Sequence, residues 1–214
     1  MSQRRLILIL SIAVFLGFFF FPSFIGLLTD WWWFQEIGYQ IVFTRELTTR
    51  VLLFLVVGGL TGGLLYLNLR IAQRGLVPNP VVLRFIQSAP KVDITRPLRR
   101  LSLPVSLVLG LLAGLAATPA WSLVLRVIYA TPFGTRDPIF SRDIGYYVFT
   151  LPGLSAALGF LSAITILSLL PLIPIYALRG DIVLAPRRLS IEPSAGMHIA
   201  TLLAAAFVLT ALRL

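Results

Sequence analysis

Four carboxylates are the residues of this chain best suited to chemistry: Asp30, Glu36, Asp137 and Asp143. All four fall in segments expected on one side of a membrane. Gathered there, they could bind a divalent cation through oxygen ligands or act as an acid/base pair. The plainer expectation is that they pair with Arg45, Arg136 and Arg142, or cap helices as Asp137-Pro138 would. No histidine falls on that side to complete a transition-metal site. His198 is the single histidine, and its place near the inner end of the last apolar run reads as a boundary position. With no cysteine there are no disulfides and no thiolate metal sites. A glycine-rich phosphate loop, a nucleophile elbow and a metal-ligand cluster are all missing from the sequence. No cofactor and no metal is expected.

The elements that must position these groups are membrane spans. Of the 214 residues, 58% are hydrophobic and only 12% charged, about half the charge of an ordinary soluble domain. The apolar residues come in blocks near the ~20 residues needed to cross a hydrocarbon core. The fold expected is an all-α integral membrane bundle of about five helices, with spans near 6–28, 51–69, 103–125, 151–178 and 197–212. Outer loops are expected at 29–50 and 126–150, and inner loops at 70–102 and 179–196. Within these, Thr44 reads as a helix cap, Pro119 as a kink, and Val81 to Ile86 as either a short interfacial helix after Asn79-Pro80 or part of an irregular basic loop. No ionisable residue falls inside the span cores, where transporters and proton pumps usually carry one.

Small residues recur at four-residue spacing along three spans. Gly58/Gly62 and Gly59/Gly63 overlap in the second, Gly110 and Gly114 lead to Thr118 in the third, and Gly159 stands between Ser155 and Ala163 in the fourth. That spacing lets helix backbones approach closely, although the Gly58 to Gly63 run could instead be a flexible break in its helix. These glycines are the expected helix-packing positions.

Charge sets the orientation. The net charge is +10, from 18 Lys and Arg against 8 Asp and Glu. The basic residues concentrate on segments 1–5, 70–102 and 179–196. This bias predicts a cytoplasmic N-terminus and an extracytoplasmic C-terminus in a bacterial plasma membrane. It also accounts for the charge through anionic lipid, and no nucleic-acid partner is expected.

The outer loops carry the most distinctive residues. Asp30, Trp31, Trp32, Trp33, Phe34, Gln35, Glu36, Ile37, Gly38 and Tyr39 follow the first apolar run, where tryptophans favour the membrane boundary. The second loop holds Asp137, Phe140, Arg142, Asp143, Gly145 and Tyr146. Glu36-Ile37-Gly38-Tyr39 matches Asp143-Ile144-Gly145-Tyr146, which predicts two similar turns, each with glycine at a tight bend. Together the loops are expected to form a collar.

Three stretches match one family: the Asp30 to Tyr39 run, Thr49-Arg50-Val51-Leu52-Leu53-Phe54-like entry residues of the second span, and Asp137 to Pro152. The chain resembles large, uncharacterised bacterial integral-membrane proteins over nearly its whole length. That resemblance implies about seven spans followed by a large extracytoplasmic domain, and supplies no catalytic residues. Ending at Leu214, the chain is expected to be either a fragment with the first five spans or a shortened member.

Three functional readings follow. The first is a membrane anchor or assembly subunit whose partners are the bilayer, other membrane helices and an extracytoplasmic domain or protein. The second is a transporter or channel fragment. The third is a membrane enzyme using the outer carboxylates.

Overall fold

The computed structural model describes residues 3–74, 95–185 and 188–213. The expected helix at Val81 to Ile86 lies outside the described residues. Backbone contacts divide the chain into two compact units, Met1–Thr49 and Arg50–Leu214.

In the first unit, α1 (Gln3–Glu36) runs through Pro22 and on through the three tryptophans. The outer loop expected at 29–50 is therefore almost absent. No glycine or proline interrupts the sequence between Gly26 and Gly38, so nothing stops the helix at the boundary. It ends in a Schellman motif: Gly38 N–H donates to Gln35 O at 3.2 Å and Tyr39 N–H to Phe34 O at 2.9 Å. Gly38 has φ +77°, a left-handed conformation in which a Cβ would be strained. The second helix, α2 (Gln40–Gln73), starts directly afterwards. Thr44 is consequently no cap; it lies inside α2 and its hydroxyl donates back to Gln40 O at 2.9 Å. The turn is held by aromatic contacts. Phe43 is buried, with the Trp31 and Phe34 rings each 5.7 Å from its own.

The second unit continues α2 and adds α3 (Thr95–Ala117), α4 (Trp121–Ile128), α5 (Leu151–Arg179) and α6 (Pro193–Ala211). A 3₁₀ turn at Thr118–Ala120, holding Pro119, separates α3 from α4. This is the expected kink: proline has no N–H for the helical ladder. One turn of π-helix, Tyr146–Thr150, leads into α5. Among the described residues, four helical segments are long and apolar enough to cross a membrane: Gln40–Gln73, Pro97–Ile128, Tyr146–Arg179 and Pro193–Ala211. The first three extend past the expected spans at both ends, because a helix continues beyond its apolar run where no breaker intervenes; the fourth starts earlier, at Pro193, and ends at Ala211.

The basic loop expected at 179–196 is instead an antiparallel hairpin of β1 (Ile182–Ala185) and β2 (Arg188–Ile191), in the register Ile182 opposite Ile191 and Val183 opposite Ser190. A second Schellman motif starts it. Gly180, at φ +82°, closes α5 with Gly180 N–H donating to Ala177 O and Asp181 N–H to Tyr176 O. The best-buried core lies beside this hairpin. Leu69 and Ala72 of α2 meet Leu172, Ile175 and Tyr176 of α5 and Ala195 of α6, with Leu98, Ile182, Ile199 and Leu202 around them.

The glycines divide by face. A Cβ on Gly110 would stand 2.7 Å from Gly58 O and 3.1 Å from Gly62 Cα; one on Gly114 would stand 2.6 Å from Phe54 O. Gly58, Gly62, Gly110 and Gly114 thus lie where the α2 and α3 backbones come together. Gly59 and Gly63 have nothing within 4 Å of an added Cβ. They are turned about 100° from the crossing. Nearest to a Cβ on Gly159 is the Arg213 guanidinium, at 3.2 Å.

Candidate functional site

The loop between α4 and α5 is organised by its two carboxylates. Asp143 is an acceptor for three backbone N–H groups: Oδ1 takes Phe133 at 3.0 Å and Gly145 at 2.7 Å, and Oδ2 takes Gly134 at 2.9 Å. Asp137 Oδ2 takes the Phe140 N–H at 2.6 Å and the Tyr147 hydroxyl at 3.2 Å. The backbone closes between them. Asp137 N–H donates to Arg142 O at 2.8 Å, Ile144 N–H to Thr135 O at 3.0 Å and Ser141 N–H to Asp137 O at 2.9 Å. Arg136 and Asp143 form an antiparallel bridge.

These donors favour the charged form of each carboxylate. The Phe140 N–H foremost holds the Asp137 carboxyl below its ordinary value. The Phe133 N–H foremost, then that of Gly145, does the same for Asp143. Groups that stay ionised and already accept two or three hydrogen bonds are poorly placed to exchange protons near neutral pH. The Arg142 guanidinium, expected to pair with an acid, stacks over the Tyr146 ring at 4.5 Å. Among the described residues, no group of three or more His, Cys, Asp or Glu side chains could hold a metal ion.

The rigid frame presents an apolar tip. Ile139 is 79% exposed and Phe140 71% exposed. Ser141 beside them has φ +56°, an uncommon conformation for a residue with a Cβ, held by its N–H to Asp137 O.

The four candidate carboxylates fall in both units, Asp30 and Glu36 on α1 and Asp137 and Asp143 in this loop. Trp31, Trp32, Trp33 and Tyr39 carry exposed rings. The two matching tetrapeptides do different work. Gly38 is left-handed after a helix, whereas Gly145 is right-handed helical at φ −57°. Gly145 is glycine for space: a Cβ would stand 2.7 Å from Thr131 O and 2.9 Å from Asp143 Oδ1. Glu36 ends a helix, whereas Asp143 clamps a loop. Shared letters here do not make a shared turn.

A second polar cluster was not foreseen from the sequence. His198 on α6 joins three helices. Its Nδ1 lies 2.7 Å from the Tyr176 hydroxyl on α5, and its Nε2 3.1 Å from Asn68 Oδ1 on α2. With Asn68 Oδ1 as acceptor, Nε2 carries the proton and Tyr176 O–H donates to Nδ1. One helical turn further along α5, Arg179 Nη1 donates to Ala72 O at 2.7 Å and Nε pairs with Asp181 at 3.0 Å. The partners of His198 are remote in sequence, and only a neutral Asn near the end of α2 hinted at polarity there.

The sequence model of an uncharacterised protein family, UPF0182, matches residues 6–214. A UPF0182 protein of Rhodococcus opacus (strain B4) is 34% identical over 215 residues, covering 97% of this chain and 21% of the relative. One from Cupriavidus necator is 35% identical over 190 residues, 87% of this chain and 21% of the relative. One from Mycobacterium avium (strain 104) is 30% identical over 204 residues, 94% and 20% respectively. The chain thus spans about a fifth of the length of the curated relatives it matches. No solved structure matches it. With the family match running from the first apolar helix to the end of the last, the chain belongs to the uncharacterised protein family UPF0182.

Proposed function

We propose that this chain is the membrane anchor and scaffold of a longer protein, and that its 131–145 loop receives an extracytoplasmic segment. The observation that carries the reading is the exposed Ile139-Phe140 tip on a loop fixed by Asp137 and Asp143. Apolar side chains held out on a rigid frame suit docking more than catalysis. The segment received is the remainder of the polypeptide, since the relatives are about five times as long as the matched region. The helices cross a bacterial plasma membrane with the N-terminus cytoplasmic, following the basic residues. Reporter fusions after Thr44, Pro90, Gly134 and Ala185 test that topology; cytoplasmic signals from the first and third would reverse it.

The docking role is tested in the full-length protein by Ile139→Asp with Phe140→Asp, followed by protease digestion from the extracytoplasmic side. The double variant should expose new cleavage sites in the extracytoplasmic part. An unchanged digestion pattern would refute the docking role.

One observation favours a second reading, a membrane transport role. Tyr176, His198 and Asn68 form a continuous polar chain across three helices, and such chains carry protons in some transporters. Cysteine scanning through α2 and α6, in a chain that has no cysteine of its own, distinguishes the two. Periodic labelling by a water-soluble reagent along one face would support a path. Protection throughout would leave the chain of side chains as a structural tie.

A further inference from the structure

We infer that the end of the second unit opposite the 131–145 loop holds a binding site for an anionic phospholipid with a hydroxyl-bearing headgroup of the phosphoglycerol type. The site is a cleft of about 470 Å³ lined by Arg70, Gln73 and Arg74 of α2 and Arg99 of α3. The described residues that line it carry three guanidinium groups and no acid. It lies at the ends of two helices long and apolar enough to cross a membrane, the level at which lipid phosphates sit. Basic pockets between such helices recognise phosphate headgroups.

Two features mark the cleft as more than a set of boundary arginines. Arg70 is oriented: its Nε donates to the Tyr66 hydroxyl at 2.8 Å and its guanidinium lies 5.1 Å from the Tyr66 ring centre. That arrangement keeps the two terminal nitrogens as a fork, the geometry that takes a phosphate through two parallel hydrogen bonds. Gln73 is only 3% exposed. Its Nε2 donates to Leu98 O at 3.3 Å, while its Oε1 has no hydrogen-bond partner among the described residues. A buried amide oxygen without a donor is unfavourable. A fully ionised phosphate mono- or diester group cannot supply that donor. A phosphoglycerol headgroup carries both parts: the anion for the arginines and a hydroxyl for Gln73 Oε1.

The inference does not depend on the anchor role, because it concerns the other end of the unit. Its test is native mass spectrometry of the delipidated full-length protein with phosphatidylglycerol, phosphatidylmethanol and phosphatidylcholine. Phosphatidylglycerol should bind best, phosphatidylmethanol less well for want of the hydroxyl, and phosphatidylcholine least. Arg70→Gln with Arg74→Gln should weaken phosphatidylglycerol binding by roughly tenfold or more. Gln73→Leu should remove the preference for phosphatidylglycerol over phosphatidylmethanol while leaving that of both over phosphatidylcholine. Arg136→Gln, at the opposite end, should change neither preference, and an equal loss there would reduce the effect to net charge and overturn the site. Equal binding of phosphatidylglycerol and phosphatidylcholine would also overturn it. Displacement of the lipid by millimolar inorganic phosphate would assign the cleft to a soluble anion and overturn the lipid.

Discussion

Replacing Gly110 by alanine should loosen the α2–α3 crossing, and the structure says by how much. The new Cβ would lie 2.7 Å from Gly58 O and 3.1 Å from both Cα and N of Gly62. Ordinary carbon contacts are about 3.5–4.0 Å, so the backbones must part by roughly 1 Å. Every obstructing atom is main chain, and no side-chain rotation relieves it. Overpacking of this kind costs about 1–3 kcal/mol. Alanine recovers up to about 1 kcal/mol through its better helix propensity, so a net loss of about 1–2 kcal/mol is expected. Gly114→Ala meets Phe54 O at 2.6 Å and the Phe54 ring at 2.9 Å, and should behave alike. The two losses should not add, because the first separation already makes room for the second.

Gly59→Ala and Gly63→Ala supply the control. With nothing within 4 Å of either Cβ, each should be neutral or stabilising by up to about 1 kcal/mol. The assay is titration of the protein from mild micelles into dodecyl sulfate, followed by near-ultraviolet circular dichroism of its aromatic side chains. A Gly110→Ala protein as resistant as the parent, with Gly59→Ala the more damaging, would refute the assigned face.

Further expectations concern the loop and the histidine. Asp143→Asn replaces a carboxylate that accepts three backbone N–H bonds by a group with one acceptor oxygen; a spin label at Ile139→Cys should become more mobile. The same label reports acidification. Because the folded-state pKa values of Asp137 and Asp143 lie below 3.8, their contribution is present above pH 3.8 and is lost as pH falls through the depressed values. The label should therefore stay restrained from neutral pH to about 4 and loosen below it; loosening near pH 6 would contradict the clamp. His198→Phe should cost about 1–3 kcal/mol by leaving the buried Tyr176 hydroxyl without its acceptor, and Tyr176→Phe in addition should restore part of the loss, measured in the same dodecyl sulfate titration.

Much of the helical architecture was legible because length and apolarity are local properties. Runs such as Val51 to Leu69 need no distant information to be read as spans. Boundaries were harder, since a helix ends where a specific residue ends it. The tryptophans suggested an exit from the membrane, yet Gly38, not Trp31, stops α1, because only a left-handed residue closes the Schellman motif. Four-residue spacing picked out Gly58/Gly62 and Gly59/Gly63 equally; which pair faces α3 depends on the rotation of α2, which spacing does not contain. The role of Asp143 depends on N–H groups nine and ten residues earlier, and that of His198 on Tyr176 and Asn68. Sequence chemistry named Asp143 as a candidate for a cation, an acid/base pair, an arginine or a helix cap, and could not tell which. The backbone, which every sequence shares, is what they hold.

The two ends of the second unit satisfy their polar groups differently, and this bears on where it can change shape. In the 131–145 loop the carboxylates bond to main-chain N–H groups, and releasing them means unfolding the loop. At the opposite end the ties between helices start from side chains: Tyr176 to His198, His198 to Asn68, and Arg179 to the Ala72 carbonyl. Side-chain ties between separate helices can break and re-form by rotamer changes while each helix stays intact. The best-buried core joins the same three helices, so any such rearrangement has to keep Leu69, Leu172, Ile175 and Ala195 packed. The frame of the loop tip is mostly main chain, and it yields only when the backbone does.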